Sequence, residues 1–264
     1  MASLTRRLAA EALGTFSFVF IGCASVTAAG IIGGDGGVLG VAFAHALALS
    51  VMITATMNIS GGHLNPAVTL SLLSVRRIDA KSALLYIVAQ LGGAALGALL
   101  VKLLYGHNFT HPITLGTPSL GSTMTWGTAI GIEAVLTFFL VSAVFGTVVS
   151  PDAPKVGGFG VGMVLLFDII AGGALTGAVM NPARAFGPAL ISGTWYAQPV
   201  WYRSDTRRVC RGADLGEGVV EEGLRNWGIG GLKIPTSIPQ SSIPQSLNLS
   251  ILFALPHNTS TYPR

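Results

Sequence analysis

Two side-chain amides stand in the same setting 116 residues apart, in Asn65-Pro66-Ala67 and Asn181-Pro182-Ala183. Proline at the first position of a helix fills a slot where the missing N–H costs nothing. The asparagine before it is a natural N-cap. Each tripeptide therefore predicts a helix start, with short helices over 66–74 and 182–190. An asparagine that caps its own helix uses its carbonyl on the local backbone and presents an NH2 donor outward. Two half-helices entering a membrane from opposite faces would meet amino end to amino end. Their free N–H groups and partial positive charge would then point at the membrane centre. A water passing there would give its oxygen to both amides and be turned out of any proton-conducting chain, while cations would meet a positive potential. That combination suits a passage for neutral solutes.

The charge near these motifs is sparse. Arg184, directly after the second tripeptide, is the sole charge beside either. Unpaired burial of a charged side chain in a bilayer costs about 2.5–3.5 kcal/mol even on lenient scales. Arg184 is therefore expected to reach water or backbone carbonyls, both of which a pore lumen offers. Glu11 and Glu133 are the other acidic residues expected in the membrane. They sit in the related strings Glu11-Ala12-Leu13-Gly14-Thr15-Phe16 and Glu133-Ala134-Val135-Leu136-Thr137-Phe138, displaced by 122 residues. His63, two residues before Asn65, lacks a second and third ligand partner and reads as orienting the loop rather than holding a metal. Cys23 and Cys210 form no metal or redox spacing. No nucleophile–base pair and no complete metal set is present, so an enzyme, a cofactor and a metal centre are not expected.

The elements that must position these residues are membrane spans. Charged residues make up 10% of the 264 and hydrophobic ones 51%, with a mean hydropathy of +0.66. That is the balance of a polytopic membrane protein. The 35 glycines suit close helix packing in lipid. A net charge of +4 spread in this way calls for no nucleic-acid partner. Apolar stretches predict spans over 12–34, 38–57, 82–101, 125–149 and 156–172, with a loop over 105–124. The segments carrying the tripeptides are too short to cross and are expected to re-enter, which requires protein or a water-filled cavity around their backbone. Arg6, Arg7, Arg76, Arg77, Lys81 and Lys155 then fall on one side, which places the amino terminus in the cytoplasm. Full crossing by the first tripeptide segment would break that bias.

Each repeat runs span, span, half-helix, span, so the second inserts upside down relative to the first. Inverted repeats of this kind place a functional site near mid-membrane, where broken helices meet. The expected organisation is a first repeat over 1–104, a non-cytoplasmic loop over 105–124, an incomplete second repeat over 125–198 and an atypical polar tail over 199–264, expected to be disordered. Symmetry asks for a sixth span over about 199–221. That stretch instead carries Arg203, Asp205, Arg207, Arg208, Arg211, Asp214, Glu217 and Glu221. Residues 1–198 hold 8 Lys/Arg and 6 Asp/Glu, against 7 and 5 in residues 199–264. A change of reading frame near residue 200 accounts for the break; a natural extension is the alternative. His107 and His111 lie in the non-cytoplasmic loop beside Asn108-Phe109-Thr110, which has the form of a glycosylation acceptor.

The strings Ser60-Gly61-Gly62-His63-Leu64-Asn65-Pro66-Ala67-Val68-Thr69 and Gly177-Ala178-Val179-Met180-Asn181-Pro182-Ala183-Arg184-Ala185-Phe186-Gly187-Pro188 carry a resemblance. Over roughly residues 8–200 the sequence resembles the aquaporins of the major intrinsic protein family, and is similar to their plant vacuolar type and to bacterial relatives. The resemblance implies an all-α membrane protein, an inverted repeat of transmembrane helices with two re-entrant half-helices, here with the sixth span lost. It implies a passive channel for water, with ammonia, urea or hydrogen peroxide as secondary solutes, closed to protons and ions. It places a narrow filter at His45, Ile169, Ala178 and Arg184, and makes Glu11 and Glu133 buried braces for the re-entrant loops. Glycerol-conducting relatives carry an Asp where this chain has Ala185. A homotetramer with one pore per subunit, in the plasma or vacuolar membrane, is the family expectation. The rival reading is a subunit that does not conduct or does not fold, because the sixth span is missing. Asp168 departs from the vacuolar pattern and receives no role from it.

Overall fold

A computed structural model of the chain describes residues 2–32 and 37–195. The expected tail over 199–264, with its missing sixth span, and the turn at 33–36 lie outside the described residues. The helices are α1 (Leu4–Ile32), α2 (Gly37–Ser60), α3 (Pro66–Ser74), α4 (Ala80–Tyr105), α5 (His107–Thr110), α6 (Trp126–Val144), α7 (Phe159–Thr176) and α8 (Pro182–Ser192). There is no strand among the described residues. Among them, five helices are long and apolar enough to cross a membrane, α6 counting together with the turn that follows it. The fold is all-α.

Local chemistry sets the boundaries. Asn65 caps α3 and Asn181 caps α8, each followed by proline at the first helical position. Asp79 caps α4, its carboxylate accepting from Ser82 N at 2.9 Å. Hydrogen bonds from the Ser82 side chain and then its backbone hold the Asp79 carboxyl below its ordinary range. The helix of α1 begins eight residues before the expected span. A helix and its apolar segment are different things: Arg6 lies exposed on the first turns, and Arg7 stacks over the Tyr86 ring at 5.9 Å. The fifth span runs past the expected end at residue 172. Gly172 and Gly173 stay helical, and termination waits for Gly177, whose left-handed φ of 83° suits glycine. After Val144 the helix of α6 widens into a π-helical turn, Phe145–Val149, closed by Ser150 N donating to Phe145 O. The expected loop over 105–124 contains α5 and the 3-10 turn Thr114–Gly116. Thr114 and Leu115 there both take positive φ.

Helix α1 packs chiefly on α2 and α4, α2 on α7, and α4 on α8. Small residues permit it. A Cβ on Gly97 would stand 2.6 Å from Phe16 O, and one on Gly187 would stand 2.5 Å from Ala94 O. Backbones at that separation exclude any side chain, the usual way helices close in lipid. The buried core runs through Phe18, Leu49, Leu64, Val68, Leu136, Leu140 and Leu165, and encloses the two half-helices. The two acidic helices differ in their surroundings. Ala12 and Phe16 of α1 are partly covered, whereas Ala134 and Phe138 at the matching places on α6 are exposed.

Candidate functional site

The re-entrant loops are held by the two glutamates, in matching patterns. Glu11 accepts from Ser60 Oγ (2.6 Å), His63 N (3.0 Å), Leu64 N (2.7 Å) and Gln90 Nε2 (2.8 Å). Glu133 accepts from Thr176 Oγ1 (2.6 Å), Val179 N (2.9 Å) and Met180 N (2.9 Å). Both carboxylates are buried. Each ties the end of its span to the backbone just before an Asn-Pro-Ala motif, so loop N–H groups that no helix serves find a charged acceptor. Glu11 is wholly buried although Arg6 and Arg7 lie only one turn before it. His63 sits in the same cluster, its Nδ1 3.1 Å from Thr69 Oγ1 and its ring edge-on to Tyr86.

Loop geometry then aims the asparagines. Leu64 and Met180 both adopt left-handed φ, 49° and 44°, which turns their carbonyls inward. Asn65 Nδ2 donates to Met180 O at 3.0 Å, and Asn181 Nδ2 donates to Leu64 O at 2.9 Å. The carbonyl of each amide is occupied locally: Asn65 Oδ1 accepts from Ala67 N, and Asn181 Oδ1 from Ala183 N and Arg184 N. The amino ends of α3 and α8 therefore meet. The free NH2 expected from the sequence is only half free: each amide commits one hydrogen to the opposite loop and retains the other.

Farther along, a cavity of about 550 Å³ is lined by His45, Ile169, Arg184, Val38, Gly116 and Pro118, among others. Arg184 Nη1 donates to Gly116 O at 3.0 Å, and Nη2 lies 3.2 Å from His45 Nε2. His45 Nδ1 lies 2.8 Å from Val41 O, a pure acceptor, so Nδ1 carries the hydrogen and Nε2 receives Arg184. Both of these guanidinium contacts are ones it can make as a cation. Ala178 is buried and adopts φ 45°, but does not line this cavity. Asp168, next to Ile169, is fully buried, and neither carboxylate oxygen has a hydrogen-bond partner among the described residues.

Several contributors escaped sequence reasoning. Gln90 bridges Glu11 and Thr69, the latter at 3.0 Å. Tyr86 donates to Ser60 O at 2.9 Å. Gly22 leaves room for His45: a Cβ there would stand 2.5 Å from His45 Nε2. Gly116 supplies the carbonyl on Arg184. A lone Gln inside an apolar span is a signal for the first of these; the others carry none, since each is defined only by a distant partner.

Comparisons with known proteins agree with this geometry. The family model described as Major intrinsic protein matches residues 1–203. Aquaporin TIP4-4 of Zea mays is 44% identical over 202 residues, covering 74% of this chain and 78% of the relative. Aquaporin-8 of Notomys alexis is 38% identical over 187 residues, covering 70% of each. The solved structure of the aquaglyceroporin from Plasmodium falciparum superposes with a TM-score of 0.66 at 28% identity, covering 72% of this chain and 81% of that one. With five spans among the described residues, two capped half-helices meeting at their amino ends and a family match over most of its length, this chain belongs to the major intrinsic protein family, the aquaporin-type membrane channels.

Proposed function

We propose that the chain is a passive channel for water that also admits small neutral solutes such as ammonia, urea and hydrogen peroxide, and excludes protons and ions. The observation that carries this reading is the pair of amides, Asn65 and Asn181, held at the junction of two helix amino ends. The remaining hydrogen of each amide is available to a water oxygen, and the positive ends of α3 and α8 oppose cations. His45, Ile169, Ala178 and Arg184 are proposed as the filter. In support, the fixed charge of Arg184 lines the same cavity as His45 and Ile169. Ala185 in place of an acid favours water over glycerol. The motifs Asn65-Pro66-Ala67 and Asn181-Pro182-Ala183, braced by Glu11, Glu133 and His63, belong to two inverted repeats over 1–104 and 125–198. The amino terminus is assigned to the cytoplasm, the assembly to a homotetramer, and the location to the vacuolar or plasma membrane.

A second reading is a non-conducting subunit, and the exposure of Ala134 and Phe138 on α6 favours it. Stopped-flow light scattering on proteoliposomes of the full chain separates the two. Conduction gives osmotic shrinkage faster than empty vesicles, with no added proton flux under a pH gradient. Shrinkage at the rate of empty vesicles, from protein shown to be inserted, rejects the channel for this chain.

A further inference from the structure

Outside the pore, two imidazoles meet on the segment that follows α4. His107 opens α5 and His111 is its C-cap, one helical turn away, joined by the backbone bond from His111 N to His107 O at 2.9 Å. Both side chains are exposed. Their ring centroids lie 4.5 Å apart with the planes inclined by 36°. Histidines at i and i+4 on one helical face form a bidentate clip for a divalent transition metal. Centroids this close are compatible with one nitrogen of each ring bonding the same metal at about 2.0–2.1 Å, with the metal near the plane of each ring. Imidazole suits zinc, copper and nickel rather than magnesium or calcium, which prefer oxygen.

The geometry points to a two-histidine site for a divalent transition-metal ion, with water completing the coordination shell. The turn that would carry it is already closed by two further bonds, Thr110 N to Gly106 O and Thr110 Oγ1 to Gly106 O. The rings therefore start from a formed helical turn, and the metal need not order a loop. The chain then continues through Pro112 and Ile113, which line the cavity in front of Arg184, so the site stands at the approach to the pore. The other described histidines, His45 and His63, are buried and engaged in the contacts above.

Copper binding read by electron paramagnetic resonance tests the site. The sample is the full chain without an affinity tag, in lipid nanodiscs, titrated with Cu2+ alone. The expected result is one Cu2+ per chain with the splitting pattern of two imidazole nitrogens. His107→Gln and His111→Gln should each reduce the pattern to one nitrogen, and the double variant should lose it. His257→Gln should leave it intact. Circular dichroism and elution volume verify that the variants remain folded. A two-nitrogen pattern that survives the double variant, or that disappears with His257→Gln, overturns the proposal, as does copper uptake equal in the native chain and the double variant.

Discussion

Asn65 and Asn181 do not face one another as independent donors: each gives one amide hydrogen to the carbonyl that precedes the other, Met180 O at 3.0 Å and Leu64 O at 2.9 Å. The two motifs are therefore one hydrogen-bonded unit. Asn181→Ala removes the cap on Ala183 N and Arg184 N and the cross-link to Leu64 O together. Loss of a helix cap alone costs about 0.5–2 kcal/mol. The expected outcome is a lower melting temperature in detergent and, in the proposed channel, a fall in water permeability measured by stopped flow. Asn65→Ala should depress both in the same direction, because the damage crosses the centre.

Gly22 governs where His45 can lie. A methyl group at this position would enter the space of His45 Nε2, the nitrogen facing Arg184. Gly22→Ala is expected to displace the imidazole, break its bond to Arg184 and shift the ratio of water to ammonia flux. Gly40→Ala serves as the comparison, since nothing lies within 4 Å of a Cβ there. It should leave the ratio unchanged, and an equal shift in both variants would show that Gly22 does not set the position of His45.

The two glutamate braces should differ in what their loss costs. Glu11→Ala strands donors on Ser60, His63, Leu64 and Gln90, whereas Glu133→Ala strands those on Thr176, Val179 and Met180. A buried donor left without an acceptor costs about 1–3 kcal/mol. Thermal unfolding in a single detergent should show both variants destabilised, with Glu11→Ala the worse. The Gln90 amide is the difference, so Gln90→Leu should narrow the gap.

Asp168 makes the opposite prediction. A carboxyl buried without a hydrogen-bond partner is costly in either protonation state. Asp168→Leu keeps the branching of the side chain, removes the unpartnered polar group and is expected to raise the melting temperature by an amount equivalent to about 1 kcal/mol. A drop in melting temperature would show that the carboxyl is needed as such.

What the sequence made legible follows from the range of each cause. The half-helices could be placed to within two residues, because proline and an asparagine cap act on the next turn of chain. The spans were readable from apolar length, but their ends were not. Gly172-Gly173 looks like a terminator, and only the contact of Gly172 with Leu136 reveals it as a packing surface inside a continuing helix. The loop over 105–124 hid its structure, since Thr114 and Leu115 take left-handed φ without being glycine. His45 was singled out through resemblance alone; its bond to Arg184, and the room that Gly22 gives it, depend on residues 139 and 23 positions away. No periodicity reports such a contact.

Lipid tails are as apolar as leucine, so pressing α4 onto α1 releases no water. Away from the Gln90–Glu11 hydrogen bond and Arg7 over the Tyr86 ring, the seam at Gly93 and Gly97, where a Cβ would strike the carbonyls of Ala12 and Phe16, is held by dispersion, which fades within an ångström of separation. It follows that this glycine seam is graded by shape. One methyl group at either glycine would drive α1 and α4 asunder, and no gain in greasiness elsewhere could bring them back together.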